Sequence, residues 1–306
     1  LKHVLGYMDT DNYNYGELFN EINCHTGGIT STVNLYGNMR EPEKYRIMVE
    51  LRCKALVSDT DFGFAMMREI LSRTKLTDTK RLYEIVAQVK SRLQMYLTGS
   101  GHSAAAVRAM AEFSDSSWVT DQISGIAFYG LIEQLEKHFE EKKAELIQNL
   151  KQLSRQIFRV DNVMISYTSS EDGLTPIEAA FREIKDTLYP ELDGEETPCV
   201  LHCRKRNEGF KTSSKVQYVA RVGNFIDHGA QYHGALQILK VILSYDYLWQ
   251  NVRVKGGAYG CMSNFNRIGE GYLISYRDPN LKKTMEVYEG VVDYLKNFTV
   301  DERDMT

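Results

Sequence analysis

Pro190-Glu-Leu-Asp-Gly-Glu-Glu-Thr-Pro198 is acidic, poor in apolar residues and closed by a proline at each end. Such a stretch interrupts any regular element that enters it and reads as a linker. It divides the chain into a part at 1–189 and a part at 199–306. At 306 residues the chain has the length of about two ordinary domains, each with a core of its own.

Both parts carry α/β patterning. In the first, Asn14 to Ile22 reads as a short helix ending before Thr26-Gly-Gly28, and Ile29 to Tyr36 alternates with period two. Tyr45 to Leu56 alternates likewise, with Ile47, Val49, Leu51 and Cys53 on one side, so an antiparallel pair packed on one face is expected. Asp59 to Ser72 has a helical apolar set. Residues 79–159 read as almost wholly helical, with breaks at Gly99-Ser-Gly101 and helices expected over Ser103–Phe113, Trp118–Phe139 and Glu141–Phe158. In the last of these, Leu146, Leu150 and Leu153 should face inward. Asn162 to Tyr167 returns as a strand. Thr175-Pro-Ile-Glu178 then opens a helix to about Leu188, with a cap, a donor-free proline and an acid able to reach back.

In the second part, Val200–Cys203 and Lys215–Val222 read as strands, and Gly229–Val252 as a mostly buried helix. Ala258–Asn266 and Gly271–Tyr276 suggest a hairpin around Arg267-Ile-Gly-Glu, and Leu281–Phe298 an amphipathic helix. The order of strands and helices recurs loosely across the linker. The expected fold class is therefore α+β: two similar α/β domains, each a mainly antiparallel sheet with helices on one face. Asp301 to Thr306 looks like a helix beginning, so the second domain is expected to be incomplete.

Composition excludes several classes. With 43% apolar and 25% charged residues the chain has a globular balance. A net charge of −4 provides no field for nucleic acid or an anionic membrane, and no run reaches the ~18 to 20 apolar residues of a membrane span. The start at Leu1 lacks the zones of a secretory signal and falls inside an amphipathic pattern, so an excised segment is expected. Five scattered cysteines, Cys24, Cys53, Cys199, Cys203 and Cys261, suit reduced thiols and favour cytoplasm or an organelle matrix. Cys199-Val-Leu-His202-Cys203 alternates like a strand, which puts His202 on the face opposite the cysteines.

No metal motif occurs. A zinc peptidase needs two histidines on one helical face and a carboxylate to activate water, as in H-x-x-E-H or H-E-x-x-H. The nearest string, His138-Phe-Glu-Glu141-Lys142, offers a lysine for the second ligand, and its ammonium would repel the cation. His228 and His233, five apart, stand about 140° apart around a helix. What remains is Arg253-Val-Lys-Gly-Gly-Ala-Tyr259-Gly. Gly256 and Gly257 permit positive φ or close backbone approach, and a strand beginning at Ala258 would offer an edge. Arg253 could then bind a peptide carbonyl or carboxylate, and the Tyr259 phenol could face an oxyanion. The same residues also suit a helix end with a favourable cation, a Gly-Gly turn and a tyrosine packed on a strand.

Several further strings bear on that choice. Tyr13-Asn-Tyr-Gly-Glu-Leu-Phe-Asn-Glu-Ile22 with Thr26-Gly-Gly-Ile29, then Asn207-Glu-Gly-Phe210, Val216-Gln-Tyr-Val219, Gly223-Asn-Phe225, Tyr247-Leu-Trp249, Arg253 to Gly260 and Ser275-Tyr-Arg-Asp-Pro279 stand in family order. Together they resemble the C-terminal half of pitrilysin/insulinase-type zinc peptidases, the presequence-protease branch in particular.

The resemblance implies a metalloprotease LuxS/processing-peptidase-like fold, with 1–189 matching a third domain and 199–306 a fourth. It implies a parent endopeptidase for unstructured peptides, whose zinc lies in the N-terminal half. Here His3-Val-Leu-Gly-Tyr7 stands where a zinc helix would open, with no Glu and no second His. By motif position Arg253 and Tyr259 would be the catalytic residues, with Gly256, Gly257 and Ala258 against the substrate backbone. No cofactor is expected in this segment, which should be inactive alone. Its implied partners are the peptide and the N-terminal half of the same protein, with no nucleic acid or membrane. A catalytically dead homologue serving as a subunit or scaffold is the alternative.

Overall fold

The computed structural model describes residues 1–38, 40–41, 44–171, 177–191 and 207–299. The strand expected at 200–203, most of the 190–198 linker, Thr175-Pro176 and the tail after 299 lie outside the described residues. Contacts group the described residues within 1–36, 46–92 and 131–199 into one compact unit, and those within 37–45, 93–130 and 200–306 into another.

In the first unit, α1 (Tyr15–His25) starts where its cap dictates. Asn14 Oδ1 accepts the Gly16 and Glu17 N–H groups at 3.0 and 2.9 Å, and Glu17 accepts the Asn14 N–H at 3.1 Å. Three N–H groups at the helix start are thus satisfied, those of Asn14 and Glu17 reciprocally. β1 (Ile29–Gly37) and β2 (Tyr45–Cys53) form a two-stranded sheet. The bonds Gly27 N–H to Lys54 O and Asn38 N–H to Lys44 O show that it runs antiparallel. Ile29, Val49 and Leu51 pack on Leu18, Ile22, Met66 and Ile70, the last two from α2 (Thr60–Arg73). Ile47, on the same alternation, is exposed.

α3 (Thr79–Gly99) buries Leu82, Ile85, Val86 and Val89 along one stripe, while Leu93 and Leu97 further along it are half-buried. α7 (Phe139–Ile157) buries Leu150 but leaves Leu153 exposed. Its inward line continues through Ser154 instead, whose hydroxyl donates to Leu150 O at 2.9 Å and so tolerates burial. Residues 162–167 form no strand, and Met164 is exposed. Alternation makes a strand only where a neighbour supplies the hydrogen bonds, and here the described pairing stops at the Arg159–Tyr189 bridge. α8 (Ile177–Lys185) follows.

The second unit is built on a three-stranded antiparallel sheet in the order β3-β5-β4, with β3 Ala220–Asn224, β4 Gly260–Phe265 and β5 Glu270–Tyr276. The hairpin between β4 and β5 turns on Gly269 at φ +90°. One face carries Val219, Cys261 and Leu273, packed on Leu248, Val252 and Tyr288. The other carries Ala220, Val222, Met262, Tyr272 and Ile274, packed on Ala106 and Met110 of α4 (Gly101–Met110). Helices thus cover both faces, which corrects the one-face expectation for this sheet. β3 is also shorter than 215–222, because the Ser275 hydroxyl accepts the Val219 N–H at 3.3 Å and Gln217 makes only an isolated bridge to Asp278.

Three expected helices are broken, each for a local reason. Trp118–Phe139 divides at Gly125 into α5 (Asp115–Ser124) and α6 (Ile126–Lys137). A Cβ at Gly125 would lie 2.3 Å from Asp121 Oδ1, and that oxygen accepts the Ala127 N–H at 3.3 Å across the break. Leu281–Phe298 divides at Gly290 into α10 (Lys282–Glu289) and α11 (Val291–Lys296), where Tyr247 Oη would meet a Cβ at 2.6 Å. Gly229–Val252 becomes α9 (Ala235–Ile242) followed by a π-helical segment, Leu243–Val254. Its buried line is Leu243, Leu248 and Val252, spaced by five and four as wider turns require, while Ile238, Val241 and Tyr245 are exposed. The expectation of a mostly buried helix fails on that outer face.

Candidate functional site

The residues singled out in the sequence meet where the π-helical segment ends. The Lys255 N–H donates to Gln250 O at 3.0 Å, Gly257 N–H to Arg253 O at 2.8 Å and Ala258 N–H to Val252 O at 3.1 Å, which satisfies the last carbonyls of the helix. Gly257 stands at φ +80°, the left-handed residue that turns the chain. A Cβ on Gly256 would come within 2.4 Å of Val252 O. Asn280 Nδ2 donates to Gly256 O at 2.6 Å and ties the turn to the loop after β5. Ala258 is 4% exposed and its methyl belongs to the core, so its place in the site is as backbone.

Gly256→Ala is therefore expected to destabilise the protein by about 1–3 kcal/mol, because the obstructing atom is main-chain oxygen and cannot swing aside. Chemical denaturation of the variant checks it, and an unchanged midpoint would contradict the packing described.

From this turn Tyr259 emerges with its backbone fixed at both ends. Its N–H donates to Tyr276 O at 3.0 Å and Arg277 O at 3.3 Å, and its carbonyl accepts a hydrogen bond from the Arg253 guanidinium. The residue is 64% exposed. Arg253 Cζ lies 4.3 Å from the Trp249 ring centroid and 5.5 Å from that of Tyr259, a range in which a guanidinium is attracted to a π face. The Tyr259 ring meets Tyr276 edge-on at 5.8 Å, and Tyr276 meets His102 edge-on at 4.8 Å and Tyr218 at 5.8 Å. Tyr218 Oη in turn donates to Thr98 O. Burial holds the His102 imidazole below its ordinary pKa, so it joins the stack as a neutral ring.

Arg253, Gly256, Gly257, Ala258 and Tyr259 are thus brought together. Trp249, Tyr276, Arg277, His102 and Tyr218 went unassigned in the sequence. Trp249 precedes Arg253 by four positions and was legible as a stacking partner. His102 carries no sequence signal for this role.

Among the described residues the remaining histidines form no metal centre. His25 meets Phe62 at a tilt with ring centroids 4.6 Å apart, His138 pairs with Glu141 at 3.4 Å, and His233 Nδ1 accepts the Ala235 N–H at 3.2 Å. His3 is driven down to about 4 by burial and by the positive Lys2 and Arg92, neighbours that would oppose a metal cation. Among the described residues no three His, Cys, Asp or Glu side chains converge as a ligand set. Zinc therefore does not fit the described residues. Burial pushes the Cys261 thiol up to about 11, so it is a poor nucleophile. No described helix is long and apolar enough to cross a membrane.

Residues 1–135 match the family model for the associated domain of subfamily C of the M16 peptidases, and 207–306 the PreP C-terminal domain. Protein HypA of Clostridium perfringens is 38% identical over 99% of this chain and 31% of its own length. Presequence protease 1, chloroplastic/mitochondrial, of Arabidopsis thaliana is 29% identical over 98% of this chain and 28% of its own. The chain spans about a third of the length of these relatives. The crystal structure of the periplasmic protease PqqL from Escherichia coli superposes with a TM-score of 0.52 at 13% identity, covering 98% of this chain and 32% of that one, a likeness of fold. The two family models, on 1–135 and 207–306, and these relatives together make the chain similar to the C-terminal part of M16 peptidases of the presequence-protease-like branch.

Proposed function

We propose that the chain is the metal-free C-terminal half of an endopeptidase that cuts unstructured peptides, and that Arg253 and Tyr259 face the scissile region. The observation that carries this reading is a phenol exposed to solvent on a backbone tied at both its N–H and its C=O. A donor held in this way needs little reorganisation when charge develops on a peptide oxygen. Arg253 spends one N–H on the Tyr259 carbonyl and keeps further donors of its five-donor fork for a substrate carbonyl. Gly256 and Gly257 keep the turn free of side chains where a peptide backbone would pass.

Zinc, which in such peptidases polarises the carbonyl and activates water, is assigned to the portion of the parent outside this chain. The segments 1–189 and 199–306 are read as third- and fourth-domain-like.

Arg253→Gln tests the reading. It removes the charge, the stack on Trp249 and the bond to the Tyr259 carbonyl, so kcat/KM of the full-length parent peptidase for an unstructured peptide should fall about 10- to 100-fold in the variant, the worth of a hydrogen bond to a charged group. An unchanged kcat/KM would remove Arg253 from the site.

A further inference from the structure

We propose that Arg277 is a second substrate-binding guanidinium of this site and that it selects peptides carrying a carboxylate. The proposal rests on the functional reading above and adds the chemical class of ligand.

Arg277 is the one non-glycine residue at positive φ among those described, at +47°. The left-handed region crowds the Cβ of an L residue against its own backbone, and outliers of this kind gather at binding sites. The position is also locked. The Arg277 carbonyl accepts the Tyr259 N–H at 3.3 Å, and the next residue, Asp278, exchanges two backbone bonds with Gln217, at 2.8 and 2.9 Å. Displacement of Tyr259 would therefore pull on Arg277, and the reverse.

The side chain itself is exposed. Its Cζ stacks 5.3 Å from the Tyr276 ring centroid, the ring that meets Tyr259 edge-on. No ion pair to Arg277 occurs among the described residues. The nearest carboxylate in sequence, Asp278, is fully buried and occupied, since it accepts the Asn280 N–H at 2.8 Å and the Thr284 hydroxyl at 2.7 Å. Arg253 is likewise not in an ion pair among the described residues. Its contacts are the Tyr259 carbonyl and two aromatic faces.

The result is two guanidiniums, one at each end of the Tyr259–Tyr276 pair, each presented on a ring and neither neutralised by a described acid. An arginine stacked on an aromatic face keeps its edge donors free for an acceptor in the ring plane. A carboxylate matches that fork, whereas an ammonium would be repelled. The carboxylate has two sources, an acidic side chain of the peptide or its free C terminus.

The test is fluorescence anisotropy with four labelled versions of one unstructured peptide, carrying Glu or Gln at one position and a free or amidated C terminus. The native protein is used with a chelator present so that no bond is cut. The carboxylate forms should bind about fivefold tighter, as a partly exposed guanidinium–carboxylate pair provides. Discrimination between Glu and Gln alone places the carboxylate on a side chain. Discrimination between acid and amide alone places it at the C terminus.

Arg277→Gly, which suits the left-handed backbone and so keeps the fold, should abolish the preference. Arg277→Glu should reverse it. A preference that survives Arg277→Gly overturns the proposal, as does equal binding of all four peptides by native protein. Failure of the underlying reading shows separately, as unchanged cleavage by Arg253→Gln.

Discussion

Removing the hydroxyl of Tyr259 by Tyr259→Phe is expected to slow hydrolysis of an unstructured peptide roughly 10²- to 10³-fold, the usual loss when one oxyanion donor is deleted. The substitution is a narrow one. The ring remains to meet Tyr276 at 5.8 Å and Arg253 at 5.5 Å, and the backbone bonds to Tyr276, Arg277 and Arg253 do not involve the phenol. Ground-state binding should therefore change little, and the loss should appear in kcat with KM nearly constant, as for an interaction made in the transition state. Because the side chain is mostly exposed, thermal stability should stay at the native value. Steady-state kinetics on the intact protein decides it. A kcat within twofold of native would remove the oxyanion role and leave Tyr259 as a wall of the site.

The largest stability effect is expected at Arg108. Its Nη1 donates to Asp121 Oδ2 at 2.8 Å, and its Nε and Nη2 grip Glu208 at 2.6 and 3.0 Å. Asp121 is fully buried at the junction of α5 and α6, and beyond this arginine its described side-chain partner is the Ala127 N–H at 3.3 Å. Arg108→Leu would leave that carboxylate in the interior without its countercharge, a loss of about 3–5 kcal/mol. Adding Asp121→Leu to the first change should recover much of it, because an apolar pair of similar volume avoids the desolvation. Chemical denaturation of both variants reads the effect. If the double variant is less stable than Arg108→Leu, the buried carboxylate is not the cause.

Features written in local chemistry were legible in the sequence. Asn14 and Glu17 fix the start of α1, period-two alternation locates β1, β2 and the β4–β5 hairpin, and Arg253 to Tyr259 mark the turn. What stayed hidden depends on partners distant in sequence. Nothing in Ala106 or Met110 says that α4 packs on Ile274, which lies far along the chain. The alternation at 162–167 has the right period but no neighbouring strand in the described structure. Gly125 lies inside a stretch whose pattern suits one helix, and only the folded chain shows that Asp121 occupies the space of its Cβ. Likewise Tyr276 and Arg277 were visible as part of a family string, but their contacts with Tyr259 depend on hydrogen bonds that only the folded hairpin creates.

The π-helical stretch Leu243–Val254 carries a consequence for how such proteins can vary. Each residue of such a helix advances the direction of its side chain by somewhat less than the ~100° of an α-helix, so one deletion or insertion here would rotate Arg253 away from Trp249 and Tyr259 while leaving composition almost untouched. The number of residues between Leu243 and Gly257 is therefore under tighter constraint than the identity of the outward-facing ones. Drift in this stretch should proceed by exchange of side chains and rarely by change of length.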